Sequence, residues 1–260
     1  MNHVSEQTPV TFLFTDIEGS TRLWEQEPER MRPVMARHDA VSKAAVERHH
    51  GTIVKMTGDG VHAAFKSPLD ALTATLEIQQ LLSAPDATDG MALPLRCGLH
   101  AGIDERRDGD FYGRAVNRAA RIMSAAHGGQ MLLSKAVAEQ VSGALPEGVS
   151  LRDLGTVRLR DLSSPEHIYQ VQHPQLRTDF PALRSLEGTP NNLTQQLNSF
   201  IGRERELAEI KQVLASNRLV TLLGMGGIGK SRLSMQLAAD ILDDFPDGVW
   251  FVELAALTDP

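Results

Sequence analysis

The chain has 260 residues, of which 42% are hydrophobic and 23% are charged, a composition that excludes a disordered or fibrous protein. The 26 basic residues against 33 acidic ones give a net charge of −7, which disfavours binding to nucleic acid or to an anionic membrane surface. The single cysteine, Cys97, excludes a disulfide framework, and neither a signal peptide nor a long apolar run is visible. We therefore expect a cytoplasmic protein that does not contact a membrane.

Strand patterns alternate with helix patterns between residues 10 and 171. The apolar alternation predicts strands over residues 10–15, 52–56, 61–65, 93–103, 130–133, 151–158 and 168–171. An apolar stripe through Val34, Val41 and Ala45 predicts one helix, and two more are predicted over residues 67–82 and 113–126. This alternation indicates an α/β or α+β sandwich in which helices cover a sheet.

The chain changes character after residue 172. Residues 173–198 are rich in Pro, Thr, Asn and Gln without clear periodicity, which predicts a linker between a domain over residues 8–172 and a second over 199–260. In the second domain the patterns predict a helix over residues 202–215, an apolar strand over 219–223, a glycine-rich loop and another helix.

Two aspartates follow apolar strands and are candidate metal ligands. Asp16 ends the first predicted strand in FTDIEGST, and Asp59 lies between two glycines in KMTGDGVHAAF, at the tip of a predicted hairpin. Neighbouring carboxylates repel each other unless a cation lies between them, and Mg²⁺ and Mn²⁺ prefer such oxygen ligands. Residues 17–21 offer backbone N–H groups and hydroxyls to a phosphate. Taken alone, the two aspartates could equally be ordinary turn and hairpin residues.

Four further polar side chains are candidates for nucleotide contacts. Lys55 precedes Asp59 by four residues, and Asp110 comes just before the third helix in DGDFYGRAVNRAAR. On that helix Asn117 and Arg121 are four residues apart and share one face. Together they can donate several hydrogen bonds to charge on a phosphoryl group, although a solvated helix face is the alternative.

Four segments together resemble the catalytic domain of the class III nucleotidyl cyclases: FTDIEGST, VKMTGDGVHAAF, RCGLHAG and DFYGRAVNRAARI. The resemblance covers residues from about 10 to 171 and implies a ferredoxin-like α/β sandwich. It implies that Asp16, Ile17 and Asp59 hold two Mg²⁺ or Mn²⁺ ions in each active site. It also implies that each site forms between two catalytic domains, so a chain with one such domain acts as a homodimer.

The same resemblance assigns the nucleotide contacts. Lys55 and Asp110 match the pair that recognises adenine, and Asn117 and Arg121 match the pair that stabilises the transition state. The candidates for phosphate binding are the loop residues Ile17, Gly19, Ser20 and Thr21, and either Arg160 or Arg158 is a candidate for holding the terminal phosphates.

The base assignment also has a chemical argument of its own. Lysine only donates and ionised aspartate only accepts, whereas adenine presents an acceptor at N1 and a donor at its 6-amino group. Guanine presents the reverse pattern and would leave buried groups unpaired. We therefore expect an adenylate cyclase that converts ATP to 3′,5′-cyclic AMP and pyrophosphate by two-metal catalysis.

Two other functions stay open. The first is a guanylate cyclase, which Lys55 and Asp110 disfavour. The second is a non-catalytic nucleotide-sensing regulator that uses the cyclase domain for dimerisation, and loss of any of the six matched residues would have favoured it.

The histidines His49, His50 and His62 lack metal-ligand spacing, and we expect them to be packed or solvated.

A second motif lies in LVTLLGMGGIGKSRL, which contains the phosphate-loop pattern GxxxxGK[ST] after an apolar run. The pattern predicts nucleotide binding by Gly224, Gly226, Gly227, Gly229, Lys230 and Ser231. The flanking sequence resembles the NB-ARC-like signal-transduction ATPases, which are often fused to cyclase domains and to C-terminal DNA-binding modules. Few residues follow Ser231, so we expect a truncated P-loop α/β segment and no nucleic-acid partner for this chain itself. Glu253 follows four apolar residues, as the metal-binding acid of a Walker B strand does, but this resemblance is superficial.

Overall fold

The computed structural model describes residues 9–84, 91, 93–107, 109–160, 162, 164–185, 192–193, 202–245 and 248–253. The chain divides into two compact units, the first formed by residues 1–159 and 165–183 and the second by residues 160–164 and 184–260. The start of the predicted linker, residues 173–183, therefore groups with the first unit. Most of its remainder lies outside the described residues.

The first unit is built on a seven-stranded sheet with the order β2-β3-β1-β4-β7-β9-β8. Its strands are β1 (Val10–Ile17), β2 (Thr52–Met56), β3 (Val61–Phe65), β4 (Leu95–Gly102), β7 (Met131–Ser134), β8 (Ser150–Val157) and β9 (Glu166–Gln172). A separate hairpin pairs β5 (Glu105–Arg107) with β6 (Asp110–Tyr112). Among the strands of the described residues, only β4 and β7 pair in parallel. The part of this order that runs β2-β3-β1-β4 is the strand order of a β-α-β-β-α-β unit.

Helices cover both faces of this sheet. They are α1 (Ser20–Gln26), α2 (Pro28–Arg48), α3 (Pro68–Ser83), α4 (Arg114–Ala125) and α5 (Lys135–Val141). Residues of α2, α3 and α5 join Leu13, Ile17 and Leu99 of the sheet in the large core. On the opposite face, α4 packs Ala115, Val116 and Ala119 against Phe12 and its neighbours. The predicted arrangement of helices covering a sheet is confirmed.

Helix α4 lies unusually close to β4 because of one small residue. A Cβ atom at Gly98 would lie 2.2 Å from the backbone nitrogen of Met123 and 2.8 Å from the carbonyl oxygen of Ala119. No side chain larger than hydrogen fits this contact. Gly98 therefore sets the distance between the sheet and the helix that carries Asn117 and Arg121.

The sequence predicts most strands of the first unit well and misses its short elements. The predicted strands 52–56 and 61–65 coincide with β2 and β3 at both ends, and α3 and α4 match their predicted ranges within two residues. Helices α1 and α5 have only seven residues each, too few to show a helical period. Strands β5 and β6 have only three residues each, too few to show an alternating pattern.

The second unit contains α6 (Glu204–Ser216), α7 (Lys230–Asp240) and a short 3₁₀ helix (Leu242–Asp244). Leu207, Leu233 and Leu237 form its small core. The predicted strand over residues 219–223 is wrong, because these residues have no regular secondary structure. Leu219 is 83% exposed and Leu223 is 90% exposed. The physical reason is that no strand in the described part of this unit lies beside them to complete backbone hydrogen bonds.

Candidate active site

The structure brings Asp16 and Asp59 together, as predicted from the two motifs. Asp16 lies near the end of β1, and Asp59 lies in the turn between β2 and the neighbouring strand β3. The backbone N–H of Ile17 donates to the carbonyl oxygen of Asp59 at 3.2 Å. A Cβ atom at Gly60 would lie 2.2 Å from the carbonyl oxygen of Thr15, so glycine is needed where the turn meets β1.

A guanidinium group that the sequence did not single out holds the first carboxylate. Arg96 of β4 is the cross-strand partner of Asp16 and donates to Oδ2 of Asp16 through Nε at 2.7 Å and also through Nη2. Burial raises the pKa of Asp16, Arg96 opposes that shift, and the negative charge of Asp59 adds to it. The only sequence signal was an isolated charge inside an otherwise apolar strand.

These residues fit a hard divalent cation. The rise in the pKa of Asp16 caused by Asp59 records a repulsion between the carboxylates that a cation between them would relieve. Among the described residues, no group of three or more His, Cys, Asp or Glu side chains could hold a metal ion. Two carboxylates therefore need other oxygens, and substrate phosphates are the usual supplement for Mg²⁺.

The predicted phosphate-binding residues lie beside this pair. Gly19 has a positive φ of 72° and immediately precedes α1, which begins at Ser20 and includes Thr21. The hydroxyl of Ser20 donates to the carboxylate of Asp59. Ser20 thus links the start of α1 to the turn that carries the second carboxylate.

The predicted base-recognition pair lies on either side of a histidine. Lys55 of β2 is the cross-strand partner of His62 on β3, and Asp110 opens β6 with Oδ1 at 4.0 Å from Nδ1 of His62. Lys55 is exposed, Asp110 is half-buried, and the side chain of His62 is 6% exposed. The structure therefore brings Lys55 and Asp110 to the same small region.

Helix α4 packs on the face of the sheet opposite the large core, and it carries Asn117 and Arg121, the predicted contacts to the phosphoryl group. Asn117 is exposed and Arg121 is half-buried. The start of α4 is held by Asp104, whose carboxylate accepts hydrogen bonds from the N–H of Ala115 at 3.1 Å and the N–H of Val116 at 2.6 Å. Asp104 was missed because its partners are in another element.

The remaining predicted contacts belong to the second unit or its border. Arg158 is exposed, and Nη1 of Arg160 donates to the carbonyl oxygen of Asp240 at 3.3 Å, within the second unit. In the glycine-rich loop, Nζ of Lys230 donates to the carbonyl oxygens of Gly224 at 2.8 Å and Met225 at 2.9 Å. Helix α7 begins at Lys230, directly after this loop.

Comparison with known proteins defines the class. The sequence model described as "Adenylate and Guanylate cyclase catalytic domain" matches residues 3–173, so the chain belongs to this family. The chain is 38% identical over 202 residues to an uncharacterised protein of Mycobacterium bovis, a match covering 76% of this chain and 68% of the relative. It is 30% identical over 262 residues to a receptor-type adenylate cyclase of Trypanosoma equiperdum, covering 83% of this chain but only 55% of that relative.

Solved structures agree with this membership. An adenylate cyclase of Trypanosoma brucei, described in its monomeric state, superposes with a TM-score of 0.62 at 29% identity, covering 69% of this chain and 95% of that one. The guanylate cyclase domain of RhGC from Catenaria anguillulae superposes with a TM-score of 0.56 at 18% identity, covering 64% of this chain and 97% of that one. The second likeness shows a shared fold only. None of the helices in the described residues is both long and apolar enough to cross a membrane.

Proposed function

We propose that the first unit is an adenylate cyclase that converts ATP to 3′,5′-cyclic AMP and pyrophosphate. The observation that carries the proposal is the placement of Lys55 and Asp110 on either side of His62. A donor-only and an acceptor-only side chain in one region complement the edge of adenine and mismatch that of guanine. The carboxylate pair of Asp16 and Asp59 supplies a site for metal and phosphate.

Each group in the site has a distinct role in this reaction. Asp16, Asp59 and the carbonyl oxygen of Ile17 would hold two Mg²⁺ or Mn²⁺ ions, which would activate the ribose 3′-hydroxyl and neutralise charge on the triphosphate. Arg121 donates to the α-phosphate as charge develops there, and Asn117 orients the ribose. The loop residues Gly19, Ser20 and Thr21 bind phosphate oxygens.

A homodimer completes two equivalent sites. In this proposal one protomer provides the carboxylate pair and its partner provides the base-recognition pair with Asn117 and Arg121. The exposure of Asn117 and Lys55 on the single chain supports contact with groups from outside it. Because activity then depends on association, the activity per molecule falls as the protein is diluted.

The test is cyclic nucleotide formation by the purified chain with Mn²⁺, using ATP and GTP separately over a dilution series. Cyclic AMP from ATP, with specific activity falling on dilution, is expected. Asp59→Asn should abolish turnover while the thermal unfolding curve is kept, and the pair Lys55→Glu with Asp110→Cys should erode the ATP preference. Cyclic GMP as the main product would establish a guanylate cyclase instead. A folded dimer that yields neither product would favour a nucleotide-sensing regulator.

The second unit carries a separate proposal, that its glycine-rich loop binds ATP as part of an NB-ARC-like regulatory segment. The loop from Gly224 to Gly229 leads directly into α7, so backbone N–H groups at a helix start face the loop. Lys230, which donates to loop carbonyls, would exchange them for phosphate oxygens. Calorimetric titration with ATP should detect a site lost in Lys230→Ala and kept in Asp59→Asn. Equal binding by the Lys230 variant would contradict the proposal.

A further inference from the structure

His62 lies between the two proposed base-recognition residues, yet the proposed chemistry assigns it no role. Its ring stacks on Phe14 with 4.3 Å between ring centroids and lies 6.0 Å from the ring of Phe12. Its Nδ1 atom is 4.0 Å from Oδ1 of Asp110, and its Nε2 atom is buried without a hydrogen-bond partner among the described residues. A buried polar atom without a partner is costly, so this position needs an explanation.

The surroundings decide which form of the imidazole is present. Burial lowers the pKa of His62 to about 4, with Lys55 lowering it further and Asp110 opposing the shift, so the ring is neutral at neutral pH. A neutral imidazole carries one N–H. A proton on Nε2 would be a buried donor without an acceptor, whereas a proton on Nδ1 points at the carboxylate of Asp110. The tautomer with Nδ1–H is therefore favoured.

This tautomer gives Asp110 a second donor. Oδ1 of Asp110 already accepts a hydrogen bond from the N–H of Phe111 at 2.7 Å. The 4.0 Å between Nδ1 and Oδ1 is wider than a hydrogen bond, so the half-buried side chain of Asp110 must move slightly for Nδ1–H to donate to it. A carboxylate that accepts hydrogen bonds on one side directs its remaining lone pairs to a donor on the other side.

We propose that His62 is a positioning residue for base selection: its Nδ1–H holds the carboxylate of Asp110 as an acceptor for the 6-amino group of adenine. The inference rests on the proposed adenylate cyclase function and deepens it. His62 needs no contact with the substrate, because it acts through Asp110. The stack on Phe14 keeps the ring in place. The positive charge of Lys55, on the adjacent strand, disfavours the doubly protonated ring, which would compete with adenine for the carboxylate of Asp110.

The test compares His62→Phe, which keeps the aromatic stack and removes both nitrogens, with His62→Gln, which keeps a side-chain N–H donor. Displacement of a fluorescent nucleotide by ATP and by GTP is measured with Ca²⁺ in place of Mg²⁺, and KM and kcat are measured with Mn²⁺. We expect His62→Phe to weaken ATP binding and raise its KM about tenfold, as for loss of one hydrogen bond to a charged group, with GTP and kcat much less affected. His62→Gln should recover part of the ATP preference.

Two further variants separate positioning from packing. In an Asp110→Ala background, His62→Phe should cause no further loss of ATP preference, because the carboxylate on which it acts is absent. His100→Phe makes the same change at another buried histidine, on β4, and should leave the ATP preference intact. Equal losses in the His62 and His100 variants, or an unchanged preference in a folded His62→Phe protein, would overturn the inference alone. A wild-type chain without ATP preference would instead overturn the base assignment, and this inference with it.

Discussion

Removal of Asp104 should loosen the start of α4 and reduce turnover. Asp104→Ala takes away the acceptor of two N–H groups, those of Ala115 and Val116, and a negative charge at a helix N-terminus. Loss of a helix cap costs about 1–2 kcal/mol of unfolding free energy. Asp104→Asn keeps a side-chain oxygen without the charge, and it should lose about half as much.

The assay for this prediction combines urea unfolding at pH 7 with cyclase kinetics. Asn117 directly follows the two capped residues, so fraying of the first turn displaces its side chain. We expect kcat to fall at least about tenfold in Asp104→Ala. A loss of stability below about 0.3 kcal/mol would refute the capping role. A full loss of stability with unchanged kcat would refute the link between the cap and Asn117.

Two further predictions test the packing of α4 and the electrostatics of the carboxylate pair. Gly98→Ala should lower the unfolding free energy by about 3 kcal/mol or more, because its Cβ atom would overlap the α4 backbone, whereas Gly143→Ala, where nothing lies within 4 Å, should change it by less than about 0.5 kcal/mol. Similar urea midpoints for the two variants would contradict this. In a carboxyl-carbon NMR titration without metal, Arg96→Ala should raise the pKa of Asp16 and Asp59→Asn should lower it, since Arg96 opposes and Asp59 adds to the upward shift. Shifts in the same direction would show that the assigned charges are wrong.

The local sequence pattern was enough to predict strands β2 and β3, but it failed for segments whose structure depends on pairing with residues remote in sequence. Strands β2 and β3 are short apolar runs on either side of a glycine turn, and both ends were predicted. Residues 219–223 also form a short apolar run, but they have no strand to pair with in the described part of the second unit. A strand forms only when its backbone groups have partners, and those partners are remote in sequence.

The site shows the same division. Asp16 and Asp59 were predicted together, because each ends or joins strands that are neighbours in the sheet. Arg96, Asp104 and His62 were not predicted as part of the site, because each acts through a partner in another element. Arg96 of β4 pairs with Asp16 of β1, Asp104 accepts hydrogen bonds from the first turn of α4, and His62 lies near Asp110 of the hairpin. A single sequence contains the side chains but not the register that pairs them.

Sheet register therefore links stability to the proposed chemistry. Along β1, Leu13 and Ile17 enter the large core, while Phe14 and Asp16 lie on the opposite face, because side chains alternate along a strand. Phe14 stacks on His62, and Asp16 pairs with Arg96. A slip of one residue would exchange the two faces and separate both pairs at once. The large core, which has no polar role in the site, is what fixes that register, so the carboxylate pair and the base-recognition region depend on the same apolar packing.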